Sequence, residues 1–214
     1  MSSTQFITVE GPIGIGKTSL ARAIAARSGF QLLQEIVEEN PFLGRFYENI
    51  EEWSFQTEMF FLCNRYKQLA DISNGYLKHD RSVVSDYNIF KNTIFAHRTL
   101  HMGELDKYLK IYDIMTADMP KATLIIHLTA SVETIMGRIA TRNRDFEHNM
   151  DPNYIRHLRD DYEMFLTRYR LQNPDVPVLQ LDGDKLDFVK NPGDLQYIFD
   201  QIDAILSKEQ RSHA

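Results

Sequence analysis

Residues 5–19 read Gln5-Phe6-Ile7-Thr8-Val9-Glu10-Gly11-Pro12-Ile13-Gly14-Ile15-Gly16-Lys17-Thr18-Ser19. Phe6, Ile7 and Val9 form a short apolar run suited to a buried strand. The run breaks into Gly11 to Thr18, which satisfies the phosphate-loop pattern G-x-x-x-x-G-K-[ST] without a mismatch. Glycines at these positions let the backbone wrap an anion and aim successive N–H groups at phosphate oxygens. Lys17 is then expected to reach the β- and γ-phosphates, and the Thr18 hydroxyl to hold Mg²⁺. From Thr18 to about Ser28 the spacing predicts a helix, with Leu20, Ile24 and Ala25 inward and Gly29 as its stop. Its N-terminus adds partial positive charge beneath the phosphates. Strand, motif and helix in this order predict a nucleotide site.

The rest of the chain repeats the strand-then-helix rhythm. Strand candidates are 31–36, 82–86, 122–129 and 176–182. Helical patterns occupy about 41–50, 52–73, 88–98, 104–118, 132–141, 152–172 and 194–207. Asp151 is a good N-cap, with Pro152 at the first helical position. Such alternation predicts an α/β fold, a five-stranded parallel sheet with helices on both faces. No repeat or linker divides the 214 residues, so one domain spanning 1–214 is expected, with a small lid. Ligands in this architecture gather beyond the carboxyl ends of the strands.

Composition narrows the partners. Hydrophobic content of 43% and charged content of 25% are ordinary for a globular protein. A formal charge of −6 argues against a nucleic-acid polymer, whose phosphates demand basic surface. The single Cys63 excludes an intrachain disulfide and a cysteine-based zinc cluster, and the seven histidines show no ligand spacing. No signal-peptide pattern or membrane-spanning run is present, so a cytoplasmic enzyme with no membrane partner is expected.

The residues just past the strands carry the chemistry. Strand two runs into Gln34-Glu35-Ile36-Val37-Glu38-Glu39-Asn40-Pro41. Glu35 faces the γ-phosphate side, where it can deprotonate an acceptor hydroxyl, while Glu38 and Glu39 read as a solvated acidic loop. An anionic acceptor would need arginines here, so acids favour a neutral hydroxyl. Strand three ends in Ser85-Asp86-Tyr87, and Asp86 can serve Mg²⁺ or assist proton transfer. After strand four, Arg138, Arg142 and Arg144 crowd a helix end and read as a lid over about 138–150. The lid would close on ATP, neutralise developing charge and exclude water.

Four blocks together resemble the deoxyribonucleoside kinase family, most closely its bacterial deoxyguanosine-specific members, over about residues 5–205. They are Gly11–Thr18, Glu35–Phe42, Trp53–Arg65 and Ser85–Asn92. The resemblance implies a P-loop kinase fold, ATP- and Mg²⁺-dependent phosphorylation of a deoxynucleoside 5′-hydroxyl, a homodimer, and feedback inhibition by a deoxynucleoside triphosphate. Position by position, it implies Glu35 as general base, with Tyr47 and Glu147 on the sugar 3′-hydroxyl. It implies Arg65 as a base-contacting arginine and Asn92 near the base. Asp187-Phe188 resembles the adenine-side loop. Many relatives carry arginine after the strand-three acid, where this chain has Tyr87, counted by that position among the substrate-binding residues. Lys91, a helical turn further on, either supplies that cation or is a solvated surface lysine.

The helix over 52–73 bears on base choice. Phe55, Met59, Leu62, Tyr66 and Leu69 recur at core spacing. Glu58 and Arg65 lie nearly two turns apart on one face, with Phe61 between them as an apolar wall. A carboxylate only accepts hydrogen bonds, whereas the glutamine usual in the family donates and accepts. Guanine presents two adjacent donors, N1–H and its N2 amino group, and one carboxylate can take both. Arg65 and the Asn92 amide can donate to O6 or N7. The expected reaction is therefore deoxyguanosine and ATP to dGMP, serving nucleotide salvage. A deoxyadenosine or broad deoxynucleoside kinase, a nucleoside monophosphate kinase and a nucleotide-dependent switch are the alternatives.

Overall fold

The computed structural model describes residues 4–144, 147 and 150–212, with side chains to residue 208. Residues 145, 146, 148 and 149 of the expected lid lie outside the described residues. Five strands form one sheet in the order β2-β3-β1-β4-β5, every pairing parallel. They are β1 (Phe6–Glu10), β2 (Gln31–Leu33), β3 (Val83–Ser85), β4 (Leu124–Thr129) and β5 (Val178–Asp182). The helices are α1 (Lys17–Ser28), α2 (Leu43–Glu48), α3 (Ile50–Gly75), α4 (Lys91–Thr99), α5 (Met102–Thr116), α6 (Val132–Arg142), α7 (Pro152–Gln172) and α8 (Pro192–Ser212).

Local chemistry accounts for most of the boundaries. Gly29 ends α1 at φ 68°, a left-handed conformation that costs glycine nothing. Ser131 caps α6 by accepting from the Thr134 N–H, and Asp151 caps α7 by accepting from the Asn153 N–H. Asn49 accepts from the Glu52 N–H and starts α3, which separates it from α2 and divides the helix expected over 41–50.

Two further differences have side-chain causes. β2 stops at Leu33, well short of the expected residue 36, because side chains take the backbone groups that would extend the ladder. Gln68 Nε2 donates to the Gln34 carbonyl at 2.8 Å, and the Glu35 N–H donates to Asp86 Oδ1 at 2.7 Å. Helix α4 starts at Lys91, three residues later than expected at 88, because Asn88 makes a turn in which its Oδ1 accepts from the Phe90 N–H at 3.2 Å. A short 3-10 turn over Leu77–His79 was not expected.

The core has two main layers across the sheet. Ile7, Val9, Val84, Leu124 and Ile126 pack with α1, α6 and α8, while Phe6, Val83 and Ile125 face α3, α4 and α7. Within α3, Leu62 and Leu69 are buried, whereas Tyr66 turns to solvent, correcting the stripe that included it. Strand ends β1, β2 and β3 thus converge beside the N-terminus of α1.

Candidate active site

One cleft, with a cavity of about 570 Å³, opens at the carboxyl ends of the strands. Its floor is the loop 11–18. Gly11 holds φ +144°, and a Cβ there would lie 2.4 Å from the Leu128 carbonyl oxygen. Gly14 holds φ +80°, and a Cβ would meet Ile139 Cγ1 at 2.4 Å. Only glycine fits either position. Gly11 and Pro12, expected to bind ATP, are buried behind the cleft lining, their carbonyls accepting from Lys17 Nζ at 2.8 and 2.9 Å. Ile13, Gly14, Ile15, Gly16, Lys17, Thr18 and Ser19 border the cleft. Burial, joined by the charge of Lys91, lowers the Lys17 pKa to about 7 against the pull of Glu10, Glu35 and Asp86. Arg138 ties the loop to β5, donating to the Ile15 carbonyl at 2.7 Å and the Gly183 carbonyl at 2.8 Å.

Glu35 stands across from this loop between two cations. Lys91 Nζ donates to Oε2 at 2.7 Å, and Arg65 Nε donates to Oε1 at 2.8 Å. Burial pushes the Glu35 pKa up, but Lys91, Arg65 and Lys17 together outweigh it and hold the carboxyl well below its ordinary range. Asp86 sits at the junction: Oδ2 accepts from Thr18 Oγ1 at 2.5 Å, and Oδ1 from the Glu35 N–H. Burial and then the nearby Glu35 charge raise the Asp86 pKa. Thr18 and Asp86 offer the hard oxygen donors that suit Mg²⁺, which usually takes one or two carboxylates and completes its shell with phosphates and water.

Farther along α3, Glu58 is buried, with 2% of its surface exposed. Its Oε1 lies 3.3 Å from Thr99 Oγ1, and its Oε2 is buried without a partner. Burial pushes the Glu58 pKa up to about 7, against Arg65, Thr99 and Lys91. Phe61 lines the same cleft and carries the Arg65 guanidinium 4.7 Å above its ring. Arg65 Nη1 is buried without a hydrogen-bond partner. Tyr47 is half-buried, and burial followed by the Glu147 charge keeps its hydroxyl protonated. Across the mouth, Arg142 is paired with Glu147, and Arg144 lies 3.4 Å from Glu38.

Most of the expected residues therefore meet in one cleft, with three further corrections. Arg65 directs Nε and Nη2 at Glu35, so only its remaining nitrogen is left for a base. Tyr87 is fully buried outside the cleft lining, its hydroxyl donating to Gln68 Oε1 at 3.0 Å. Asn92 is likewise buried off the cleft, its amide donating to the Tyr108 hydroxyl at 2.7 Å. Helical spacing gives a residue's position along a helix but not which neighbour will consume its amide.

Several contributors escaped the sequence reading. Glu10 is fully buried and accepts from the Gly11 N–H at 3.2 Å, the Tyr162 hydroxyl at 3.0 Å and the Asn88 N–H. A charged residue directly before a phosphate loop, inside an apolar strand, was a signal available for it. Gln68 and Thr99 left no comparable trace, because each acts through a partner far along the chain. Among the described residues no group of three or more His, Cys, Asp and Glu side chains is arranged to hold a metal ion.

A sequence model of the deoxynucleoside kinase family matches residues 7–207. Deoxyguanosine kinase of Bacillus subtilis (strain 168) is 48% identical over 198 residues, covering 92% of this chain and 96% of that protein. Deoxyadenosine/deoxycytidine kinase of the same organism is 30% identical over 209 residues, covering 96% and 94% respectively. Among solved structures, deoxyadenosine kinase from M. mycoides with products dCMP and a flexible dCDP bound superposes with a TM-score of 0.79. It is 24% identical and covers 94% of this chain and 100% of its own.

Proposed function

The chain belongs to the deoxynucleoside kinase family, and from that premise we propose that it transfers the γ-phosphoryl group of ATP to the 5′-hydroxyl of deoxyguanosine. The observation that carries this reading is the Glu35 arrangement. Both cations that flank the acid in the acceptor half of the cleft are bonded to it, so an anionic acceptor finds them already neutralised. A neutral hydroxyl fits that environment. The preference for guanine is supported by the buried, unpartnered oxygen of Glu58 and by the 48% identical relative.

The chain's own groups divide the work. The loop amides, Lys17 and the N-terminus of α1 cradle the triphosphate. Thr18 and Asp86 are the residues that would hold Mg²⁺, which supplies charge neutralisation on the phosphates when bound. Glu35 stays ionised and orients the 5′-hydroxyl through a hydrogen bond, accepting its proton as the new P–O bond forms. A carboxylate held this acidic is a weak base, which suffices where the transition state is loose and positioning carries most of the catalysis. Tyr47 and Glu147 hold the sugar 3′-hydroxyl, and Arg142 and Arg144, with Arg138 at the loop, balance the charge that develops on the transferred group. The reading takes residues 1–214 as one cytoplasmic kinase domain and includes a homodimer and inhibition by a deoxynucleoside triphosphate. Among the described residues, no helix is long and apolar enough to cross a membrane.

The test is ATP turnover with deoxyguanosine, deoxyadenosine, deoxycytidine, thymidine and dGMP as separate acceptors. Deoxyguanosine as the best acceptor is expected. Turnover of dGMP alone overturns the assignment of Glu35.

A further inference from the structure

The contact between Glu58 and Thr99 raises a question of proton count. A threonine hydroxyl has a single proton to give. Thr99 Oγ1 lies 2.9 Å from the Phe95 carbonyl oxygen, which can only accept, and 3.3 Å from Glu58 Oε1. When the proton goes to the nearer carbonyl, the longer contact becomes a hydrogen bond only if Glu58 itself donates. Arg65 and Lys91, the nearest cations, direct their hydrogen bonds to Glu35. No side chain therefore supplies a second proton to the Glu58 carboxylate among the described contacts, and Oε2 is buried without a partner.

We infer that Glu58 in the unliganded cleft exchanges between a protonated and an ionised form and gives up any proton it holds when guanine docks, so that one side chain reads guanine when ionised and adenine when neutral. The inference rests on the reading that this cleft takes a purine deoxynucleoside. As a carboxylate, Glu58 accepts from both N1–H and the N2 amino group of guanine. As a carboxylic acid, it has one acceptor and one donor, the pattern of an amide. That pattern matches adenine, whose N6 amino group donates and whose N1 accepts. The same O–H pointed at guanine N1–H sets donor against donor, and a mismatch of this kind in a buried site discriminates strongly. Arg65 Nη1 serves either purine, because both present N7. The exchange balances simply: the O–H bond of Glu58 breaks, its proton passes to a buffer base, and two N–H···O bonds replace it.

Every element around Glu58 contributes a charged or titratable group. Arg65 shares its helix. Lys91 and Thr99 come from α4, Glu35 from the segment after β2, Tyr47 from α2, Tyr108 from α5 and Tyr154 from α7. The tyrosines are all shifted upward, burial being the first cause, and stay neutral through the neutral pH range. Burial, opposed by Arg65 and Lys91, places the Glu58 transition at about pH 7.

The experiment measures kcat/KM for deoxyguanosine and deoxyadenosine from about pH 8 to about pH 6, a quantity that reports ionisations of the unliganded site. Their ratio cancels titrations common to both substrates, such as those of Lys17 and Asp86. Across this window the ionised share of Glu58 falls about tenfold and the neutral share rises about tenfold, so the ratio should drop by up to about 100-fold. Glu58→Gln, permanently amide-like, should show a flat ratio that favours deoxyadenosine. Calorimetry of deoxyguanosine binding near pH 6 in buffers of different ionisation enthalpy should show release of about one proton. Deoxyguanosine preference at pH 8 with a flat wild-type ratio overturns the inference and leaves the proposed function standing. A wild-type slope that persists in Glu58→Gln also overturns it, since the titrating group is then elsewhere. Absence of deoxyguanosine preference at pH 8 overturns the reading of the base pocket and the inference with it.

Discussion

Lys91 Nζ lies 2.7 Å from Glu35 Oε2, joining the first residue of α4 to the segment just past β2 across 56 positions of sequence. The contact answers a question the sequence left open, since a lysine one turn beyond Tyr87 could equally have faced water. Its side chain is only 6% exposed. A lysine this buried needs a partner, and a carboxylate this buried needs compensation. Each supplies the other, and Arg65 completes the compensation from the opposite oxygen.

Removing that cation should therefore act on Glu35. Lys91→Met keeps most of the side-chain volume and leaves Arg65 as the remaining partner. Burial then raises the Glu35 pKa, and the acidic limb of kcat/KM should move to higher pH. We expect kcat at pH 8 to fall by about 10²-fold, in the range of losses for a misaligned base. Rate measurements across pH check both parts, and unchanged turnover ends the assignment.

Glu58 should carry a stability signature separate from its role in base choice. Its folded pKa is raised from 4.5 to about 7, chiefly by burial. Between those values the folded state binds more protons than the unfolded state, so this residue's contribution becomes less favourable as pH rises through the window. Glu58→Gln removes the buried charge. It should raise the thermal midpoint at pH 8 by several degrees, corresponding to at most roughly 3 kcal/mol, with no gain below about pH 4.5. Melting curves at the two extremes decide the matter.

What the sequence made legible was chemistry local to the chain. The phosphate loop, the Gly29 stop and the Asp151-Pro152 start each depend on neighbours within a few residues, and all three are realised. Glu35 was legible because strand ends gather ligands in parallel sheets. Its bonds were not, because Arg65 and Lys91 reach it from 30 and 56 positions away. Asn92 and Tyr87 failed for the same reason: the family resemblance and the position after strand three put them among cleft residues, but the Asn92 amide N–H donates to Tyr108 and the Tyr87 hydroxyl to Gln68. The early end of β2 also follows from long-range bonds, made by Gln68 and Asp86.

Asp86→Asn tests the junction between metal and base. The amide can still accept the Glu35 N–H through its remaining oxygen, so the backbone anchor survives. The Thr18 side loses an anionic oxygen, and with it affinity for a hard divalent cation. The expected result is a rise in the Mg²⁺ concentration needed for half-maximal rate, together with a loss of about 10²-fold in kcat. Titrating Mg²⁺ at fixed ATP distinguishes this from simple misfolding, since a folding defect would not be rescued by more cation.

Glu10 offers the strictest test of how the loop is held. Its two oxygens accept from Gly11, Tyr162 and Asn88, linking the start of the phosphate loop, α7 and the turn that leads into α4. Glutamine at this position turns one acceptor into a donor, so an amide N–H meets another donor in a buried site. That mismatch costs about 1–3 kcal/mol of stability. Displacing the Gly11 end also misaims the loop amides, and a shift of about 1 Å is enough to matter for positioning. Glu10→Gln should therefore raise KM for ATP by about tenfold while changing KM for deoxyguanosine much less, because the base pocket rests on α3 and α4. Equal increases in both constants would mean that Glu10 supports the fold as a whole and has no particular hold on the phosphate loop.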